Sequence, residues 1–529
     1  MGRLRARDLS SMPKLFNENR ASSLRAQTET LCRSLLLLLT PALVAACSLV
    51  SGLDDFSLTS EADGSTTSSG EESPPPGCIP SMNQQPVGNA CGVFVSAAAT
   101  AGGDGTKEKP FQSFAEAITA LDMAGDKRIY ACAEVFTEEV DLPGGIDIYG
   151  GLDCNDSWRY VGDSKKTKLT AEPDKIPLTM FGGSGTSRIE DLHVRAAAAL
   201  LEGGSSIAIV ADGVEVEFAR STLEAQDAMD GAAGANYTMS AKTGAMGSPG
   251  SNACSAGSVP GGGETVNDCG GDVLSVGGSG GTGNVASGGT GSPGLTGPAN
   301  GGAGEGNAAC NSGGDGAVGT TGSTGAGATG LGTITRGGHT GATGSNGMPG
   351  TPGQGGGGGG GSKGGTGSNK CPVSNSAGGA SGGSGGSGGC GGAGGRGGNA
   401  GGSSIALISL NATLTFDSVT LKAGRGGAGG AGGPGQDGGS GGQGGSGGNN
   451  AGHGGLNAGC VGGDGGKGGK GGQGGGGSGG HSLGIAYKGA APSTDGATIQ
   501  TGEAGLGGAG ANAGGKGADG VKENTHQFP

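Results

Sequence analysis

Carboxylate side chains cluster within a short span of this chain, and paired carboxylates can act as acid and base on glycosidic bonds. A histidine upstream, His193, could act as a base near neutral pH, although a single histidine in a strand is more often structural. The four carboxylates are Asp212, Glu215, Glu217 and Glu224.

A second copy of the same segment argues against that chemistry. Residues 205–225 align without a gap with residues 403–423, and both copies run into glycine-rich tracts. The four carboxylates are replaced in the second copy by Leu410, Thr413, Thr415 and Lys422. The pairs that keep their core character are Ile207/Ile405, Phe218/Phe416 and Leu223/Leu421. Repetition of a strand-rich unit predicts a stacked architecture, with Glu215 and Glu217 together on a solvent-facing strand surface.

The first residues read as a targeting signal. Arg25 and Arg33 precede the apolar run 35–46, which is too short for a transmembrane helix and typical of a signal-peptide core. Val44-Ala-Ala-Cys47 resembles a bacterial lipobox, in which cleavage leaves Cys47 as the lipid-modified first residue. The alternative is an ordinary signal peptide with an incidental cysteine, and Met12 competes with Met1 as the start.

Cysteine usage agrees with export. Cys32 leaves with the signal and Cys47 is the expected lipidation site, so ten cysteines remain of the twelve. An even, widely spaced set predicts disulfides, with neighbours such as Cys78–Cys91 and Cys132–Cys154 as candidate pairs and the full connectivity open. The ten are Cys78, Cys91, Cys132, Cys154, Cys254, Cys269, Cys310, Cys371, Cys390 and Cys460. With five histidines and no Cys-x-x-Cys, we expect no metal site and no cofactor.

The net charge of the chain limits the kinds of partner that it can bind. The formal net charge is −14, and residues 1–46 carry seven basic against three acidic residues, so the exported chain is more acidic still. The sequence shows no basic cluster, which argues against nucleic-acid binding and against a polybasic membrane contact. The segment 48–77 is polar, acidic and rich in Ser, Thr and Pro, as a tether would be.

Glycine dominates the later part of the chain. Of 529 residues 135 are glycine and only 3% are aromatic, and most of the glycines follow Asp230. Runs such as residues 463–473 place glycine at two of every three positions. A period of three fits polyglycine-II-like helices that pair their backbones, and the alternative is plain disorder.

The order of several short motifs resembles the opening of pectin-lyase-like right-handed parallel β-helices. The motifs are Val93-Phe-Val-Ser96, Asp104-Gly-Thr106, Lys109-Pro-Phe111, a helix with Phe114, Ile118 and Leu121 on one face, Ile129-Tyr-Ala-Cys132, Ile146-Asp-Ile-Tyr-Gly-Gly151 and Trp158. The resemblance covers about residues 90–225 and returns at 403–423, with a weaker copy near 482–501. It implies that the helix caps the first coil. Lipobox, tether and glycine tracts together look like surface lipoproteins of myxobacteria with PGRS-like composition.

We therefore expect an all-β chain, a right-handed parallel β-helix (solenoid) with long glycine-rich insertions. The predicted parts are a signal at 1–46, anchor and tether at 47–77, β-helix at 78–230, insertion at 231–402, a coil at 403–423, insertion at 424–480, a coil at 481–504 and a glycine-rich tail at 505–529. We expect a cell-envelope lipoprotein, at the outer membrane or cell surface, with a structural or adhesive role. Its partners would be the membrane through Cys47 and a surface polysaccharide or matrix. The alternative is a polysaccharide lyase or glycoside hydrolase on the same scaffold, for which the sequence shows no complete catalytic set.

Overall fold

The structure is a computed structural model that describes residues 77–529, apart from 84, 122–126, 163, 296, 298 and 374–375. The expected signal, Cys47 and most of the tether lie outside the described residues. One α-helix, α1, spans Phe114–Leu121, and short 3-10 helices span Pro80–Met82, Asn89–Cys91 and Ala513–Gly515.

The strands are short and follow one another closely. In chain order they are β1 Val93–Val95, β2 Arg128–Cys132, β3 Val135–Thr137, β4 Val140–Gly144, β5 Asp147–Asp153, β6 Arg159–Tyr160, β7 Thr167–Thr170, β8 Leu178–Gly183, β9 Thr186–Glu190, β10 Leu192–Arg195, β11 Ser206–Asp212, β12 Glu215–Ala219, β13 Thr222–Ala225, β14 Ser258–Val259, β15 Thr265–Asp268, β16 Leu274–Gly277, β17 Gly283–Asn284, β18 Thr333–Thr335, β19 Gly338–Thr340, β20 Ser404–Leu410, β21 Thr413–Asp417, β22 Val419–Ala423, β23 Ser482–Lys488, β24 Ala497–Thr501 and β25 Lys522–Gln527.

Three parallel sheets contain most of these strands. Sheet 1 has the order β1-β2-β5-β9-β12-β21, with β6 antiparallel beside β5. Sheet 2 has the order β3-β7-β10-β13-β22-β24, and sheet 3 the order β4-β8-β11-β20-β23-β25. From β3 to β23 the principal strands visit sheets 2, 3 and 1 in rotation, leaving out β6 and the three small antiparallel pairs β14–β17, β15–β16 and β18–β19. The chain is therefore all-β and mainly parallel.

The two sequence copies are direct neighbours in all three sheets. Ile207 pairs with Ile405 in sheet 3, Phe218 with Phe416 in sheet 1, and Leu223 with Leu421 in sheet 2. Residues that correspond in the ungapped alignment are therefore the residues that pair between neighbouring strands. The weaker copy follows, because β23 and β24 pair with β20 and β22.

Two boundaries differ from the sequence interpretation. The pattern of Ile189-Glu-Asp-Leu-His-Val-Arg195 predicts one short strand, but the chain turns at Asp191, whose φ of 55° lies in the left-handed region, and so forms β9 and β10. The expected glycine-rich tail contains a strand as well, since β25 pairs in parallel with β23.

Aligned apolar columns fill the interior between the sheets. One column in sheet 3 consists of Leu178, Ile209, Leu407 and Ile485, all fully buried. Burying an aliphatic side chain of this size contributes about 1.5–3 kcal/mol to the free energy of unfolding, so each strand added to the sheet stabilises its neighbours. Helix α1 covers the first coil, where Phe114 packs on Phe136 with ring centres 4.8 Å apart.

The glycine tracts are joined to one another by backbone hydrogen bonds at every third residue. Gly383, Gly386 and Gly389 donate to Cys460, Gly463 and Gly466, while Ser381, Ser384 and Ser387 donate to Ser251, Ser248 and Ala245. Gly382 and Gly385 donate to Gly281 and Gly278. The segment near residue 385 therefore bonds to three different neighbours through its three faces.

The run 355–361 explains why seven consecutive glycines occur. A Cβ on Gly358 would overlap the carbonyl oxygen of Ser279, one on Gly359 that of Cys460, and one on Gly360 that of Ala303. No face of this segment has room for a side chain. At residues 463–473, by contrast, the third position faces outward and carries Asp464, Lys467, Lys470 or Gln473.

We predict that Gly358→Ala lowers the free energy of unfolding by about 1–3 kcal/mol or more, because the methyl group has to displace backbone. Gly263→Ala is the matched control, since a Cβ there meets nothing within 4 Å. Its effect should stay within about 0.5 kcal/mol. Urea unfolding followed by circular dichroism measures both changes, and equal effects would contradict this packing.

Candidate functional site

The four carboxylates of the sequence hypothesis do not meet. They lie on three strands that belong to three different sheets. Asp212 pairs with Arg336 at 2.7 Å, Glu217 with Arg188 at 2.5 Å, and Glu215 is exposed. They form no joint acid–base site.

A different acidic pair is buried beside two arginines. Glu190 and Asp191 are about 1% exposed, and Arg220 Nη2 lies 2.7 and 2.8 Å from their carboxylates. Arg188 also pairs with Glu190. Ser81 donates to Glu190 from the N-terminal segment, and Tyr160 donates to Asp191 at 3.0 Å. We name these residues the buried ion-pair network.

The buried ion-pair network has features that occur at functional sites. Asp191 Oδ1 and Arg220 Nε are buried without a hydrogen-bond partner, and both residues have a positive φ. Burial raises the pKa of Asp191 in spite of the adjacent arginine. However, Ser81 bonds to Glu190 and both carboxylates are about 1% exposed, so neither is open to a substrate in this conformation. The bond from Ser81 ties the N-terminal segment to β9 of sheet 1.

A basic groove of about 700 Å³ lies on the outer face of sheet 2. Lys165, Lys166, Lys168 and His193 line it, together with Ala133, Glu134, Val135, Gly162 and Ser164. None of the three lysines forms an ion pair with a carboxylate among the residues that the structure describes. Glu134 is turned to other donors, accepting from Ser96 and from the Ala98 amide.

Strand register builds this groove. Lys168 and His193 are paired residues on β7 and β10, and each has its side chain on the outer face. His193 Nε2 lies 2.6 Å from Glu224 on β13, and Arg195 lies 3.6 Å from the same carboxylate. Burial lowers the pKa of His193, although Glu224 opposes the shift. Burial likewise lowers the pKa of Lys166. Free ammonium groups in a groove suit an anionic ligand.

The three lysines lie within Ser164-Lys-Lys-Thr-Lys168, a run too short to stand out as a basic cluster in the sequence. Pairing of β7 with β10 places His193 beside Lys168, so the groove exists only in the folded chain.

The ten cysteines form five disulfides. The pairs are Cys78–Cys91, Cys132–Cys154, Cys254–Cys371, Cys269–Cys390 and Cys310–Cys460. The first two join the N-terminal coils, and the other three join glycine-rich segments that are 117 to 150 residues apart. Cross-links over such distances constrain the unfolded chain most.

Metal-binding side chains group at one place in the described part of the chain, Cys132, Glu134 and Cys154. The two cysteines are bonded to each other, so their thiolates cannot bind an ion. Within the same part, we find no helix of the length and apolarity that crossing a bilayer requires.

Comparison of the chain with models of known families, with curated proteins and with solved structures found no match.

We predict that Arg220→Ala destabilises the fold by about 2–4 kcal/mol near neutral pH, because two buried carboxylates lose their main counter-charge. The loss should shrink as the pH falls, since protonation of Asp191, whose pKa burial already raises, then removes its charge. Arg195→Ala, which breaks one half-exposed contact, is the control with a small expected effect. Urea unfolding at neutral and acidic pH tests this, and a loss independent of pH would contradict the electrostatic cause.

Proposed function

We propose that this chain is an exported, lipid-anchored surface protein with a structural or adhesive role. Its three parallel sheets would form a right-handed parallel β-helix of the pectin-lyase-like, myxobacterial surface type. The glycine tracts would form a polyglycine-II bundle that continues the stack. Cys47 would hold the chain at the bacterial outer membrane or cell surface.

The lysine-lined groove is the observation that favours an adhesive role. Within the described part of the chain the ammonium groups of the groove form no ion pair with a carboxylate, so they attract anions, and the otherwise acidic surface would repel polyanions elsewhere. The ligand that we propose is an acidic polysaccharide of the surface or matrix, because a shallow groove across strands admits an extended chain. Nucleic acid is the less favoured polyanion, since the basic area is one groove on a chain of net charge −14.

Catalysis is the second candidate, and the buried ion-pair network is what favours it. Paired carboxylates beside arginines can cleave acidic sugars, but here Ser81 and Tyr160 occupy them. We therefore propose a binding surface without turnover. The same fold would support either function.

Binding of an acidic polysaccharide to protein without residues 1–47 tests the groove. Changing Lys165, Lys166 and Lys168 to Ser should weaken binding of polygalacturonate about tenfold or more and reduce its salt dependence. The matched control removes three exposed lysines of the glycine-rich region, Lys242, Lys467 and Lys470, and should bind like the wild type.

Equal losses of binding in both triple variants would show that binding depends on overall charge alone, and would overturn the assignment of the binding site to the groove. New reducing or unsaturated ends in the same samples would overturn the absence of catalysis. Dextran, which is neutral, serves as the ligand control.

Lipid attachment is tested by labelling cells with radioactive palmitate. We expect label on the wild-type chain and none on Cys47→Ala, because the thiol is the acceptor in lipoproteins. Cys32→Ala should keep the label. Label that survives Cys47→Ala would exclude this anchor.

A further inference from the structure

Three of the chain's five histidines meet around one phenylalanine, Phe528, on the outer side of sheet 3. The ring centres of His339 and His481 are 5.0 Å apart, and those of His481 and His526 are 6.5 Å apart. Phe528 lies within 5.8 Å of all three rings and is 2% exposed. We name these three histidines the histidine cluster.

Hydrogen bonds fix the orientation of two of the rings and the protonation state of one. Both His339 Nε2 and His481 Nε2 lie within 2.9 Å of the carbonyl oxygen of Leu331, to which they donate. His481 Nδ1 accepts from the amide of Val521 at 2.9 Å. An Nδ1 that accepts carries no proton, so His481 is a neutral Nε2–H tautomer.

The Val521 amide stands at the start of β25. Ser482 N–H donates to Val521 O, and Phe528 N–H donates to Tyr487 O at the other end of the strand. The His481 side chain thus fixes the point where the last strand joins sheet 3.

His339 and His481 have no carboxylate partner in the part of the chain that the structure describes, and Glu523 reaches only His526. His339 Nδ1 and His526 Nε2 are buried without a hydrogen-bond partner. Burial lowers the pKa of His339 to about 4 and lowers that of His481, and each is lowered further by a neighbouring histidine. The stability that these rings contribute is therefore present above the ordinary histidine pKa and is lost as the pH falls towards the folded values.

The charged groups on the surrounding elements have other partners or reach one ring only. On the β18–β19 hairpin Arg336 pairs with Asp212, and on β25 Lys522 pairs with Glu503. Glu523 contacts His526 Nδ1 at 2.9 Å. It forms no ion pair with His339 or His481.

We propose that the histidine cluster is an acid-sensitive latch, which holds β25 and Phe528 on sheet 3 at neutral pH and releases them on acidification. A proton on His481 Nδ1 replaces an acceptor with a donor that opposes the Val521 N–H. Charges on rings 5.0 Å apart in a poorly solvated site then repel each other. Both effects act on β25, the edge strand of sheet 3.

Release would expose the edge of β23 and an apolar surface. Phe528 packs in a cluster with Ile405, Ile408 and Leu483 on the outer side of sheet 3.

Hydrogen exchange on the intact chain, measured by mass spectrometry and corrected for intrinsic rates, tests the latch. Between about pH 7.5 and about pH 5 we expect the protection of residues 522–528 to fall about tenfold or more, with a slope of one to two protons. Protection in the glycine tract 381–402 should stay constant. Unchanged protection of residues 522–528 in the wild type would overturn the proposal without any variant.

Conservative variants give the second reading. His481→Asn keeps an acceptor for Val521 N–H and His339→Gln keeps a donor for Leu331, but neither side chain takes up a proton. The double variant should be protected equally at both pH values, whereas His453→Gln, in a distant turn, should respond as the wild type does. A double variant that still loses protection with acid would overturn the assignment to these rings.

Discussion

Backbone hydrogen bonding between neighbouring segments is the interaction on which the whole structure depends. A chain with 135 glycines has few large side chains to bury, and each glycine loses more conformational entropy on folding than any other residue. The compensation available to such a chain is to pair its N–H and C=O groups with other segments. Parallel strands do this in the sheets, and the period-three contacts do it in the tracts.

The same stack passes from one form of pairing to the other without a break. Ala225 pairs with Ala423 as the last residues of β13 and β22. Three residues later Ala228 N–H donates to Arg425 O, and then Gly231 N–H donates to Ala428 O. The same two segments remain neighbours, while glycine and alanine become their main residues. The tract can then approach on three faces, because glycine leaves the carbonyl oxygens accessible, and the three long-range disulfides fix which segments adjoin.

This geometry explains which features of the fold could be predicted from the sequence. Ile207, Phe218 and Leu223 predicted the core and the register, because stacked coils repeat their inward positions. The division at Asp191 escaped prediction because a single left-handed residue makes the corner, as Arg220 and Ser418 do at the next two corners between sheets 1 and 2, and none of the three is a glycine. Strand β25 escaped because its sequence, Lys522-Glu-Asn-Thr-His-Gln527, lacks apolar alternation. The basic groove escaped because its residues come from separate coils.

The charged residues that stabilise the fold are not those that line the proposed binding groove. Glu190 and Asp191 pair with Arg220 under the N-terminal segment, and Arg188 also pairs with Glu190, so these charges are balanced within the fold. Removing them would change stability before it changed any surface. Lys165, Lys166 and Lys168 have no such partners in the described chain, and the repeat that carries His193 beside Lys168 has no equivalent lysine run in the later coils. Under the proposed function, recognition depends on these three lysines, while the buried ion-pair network serves the fold.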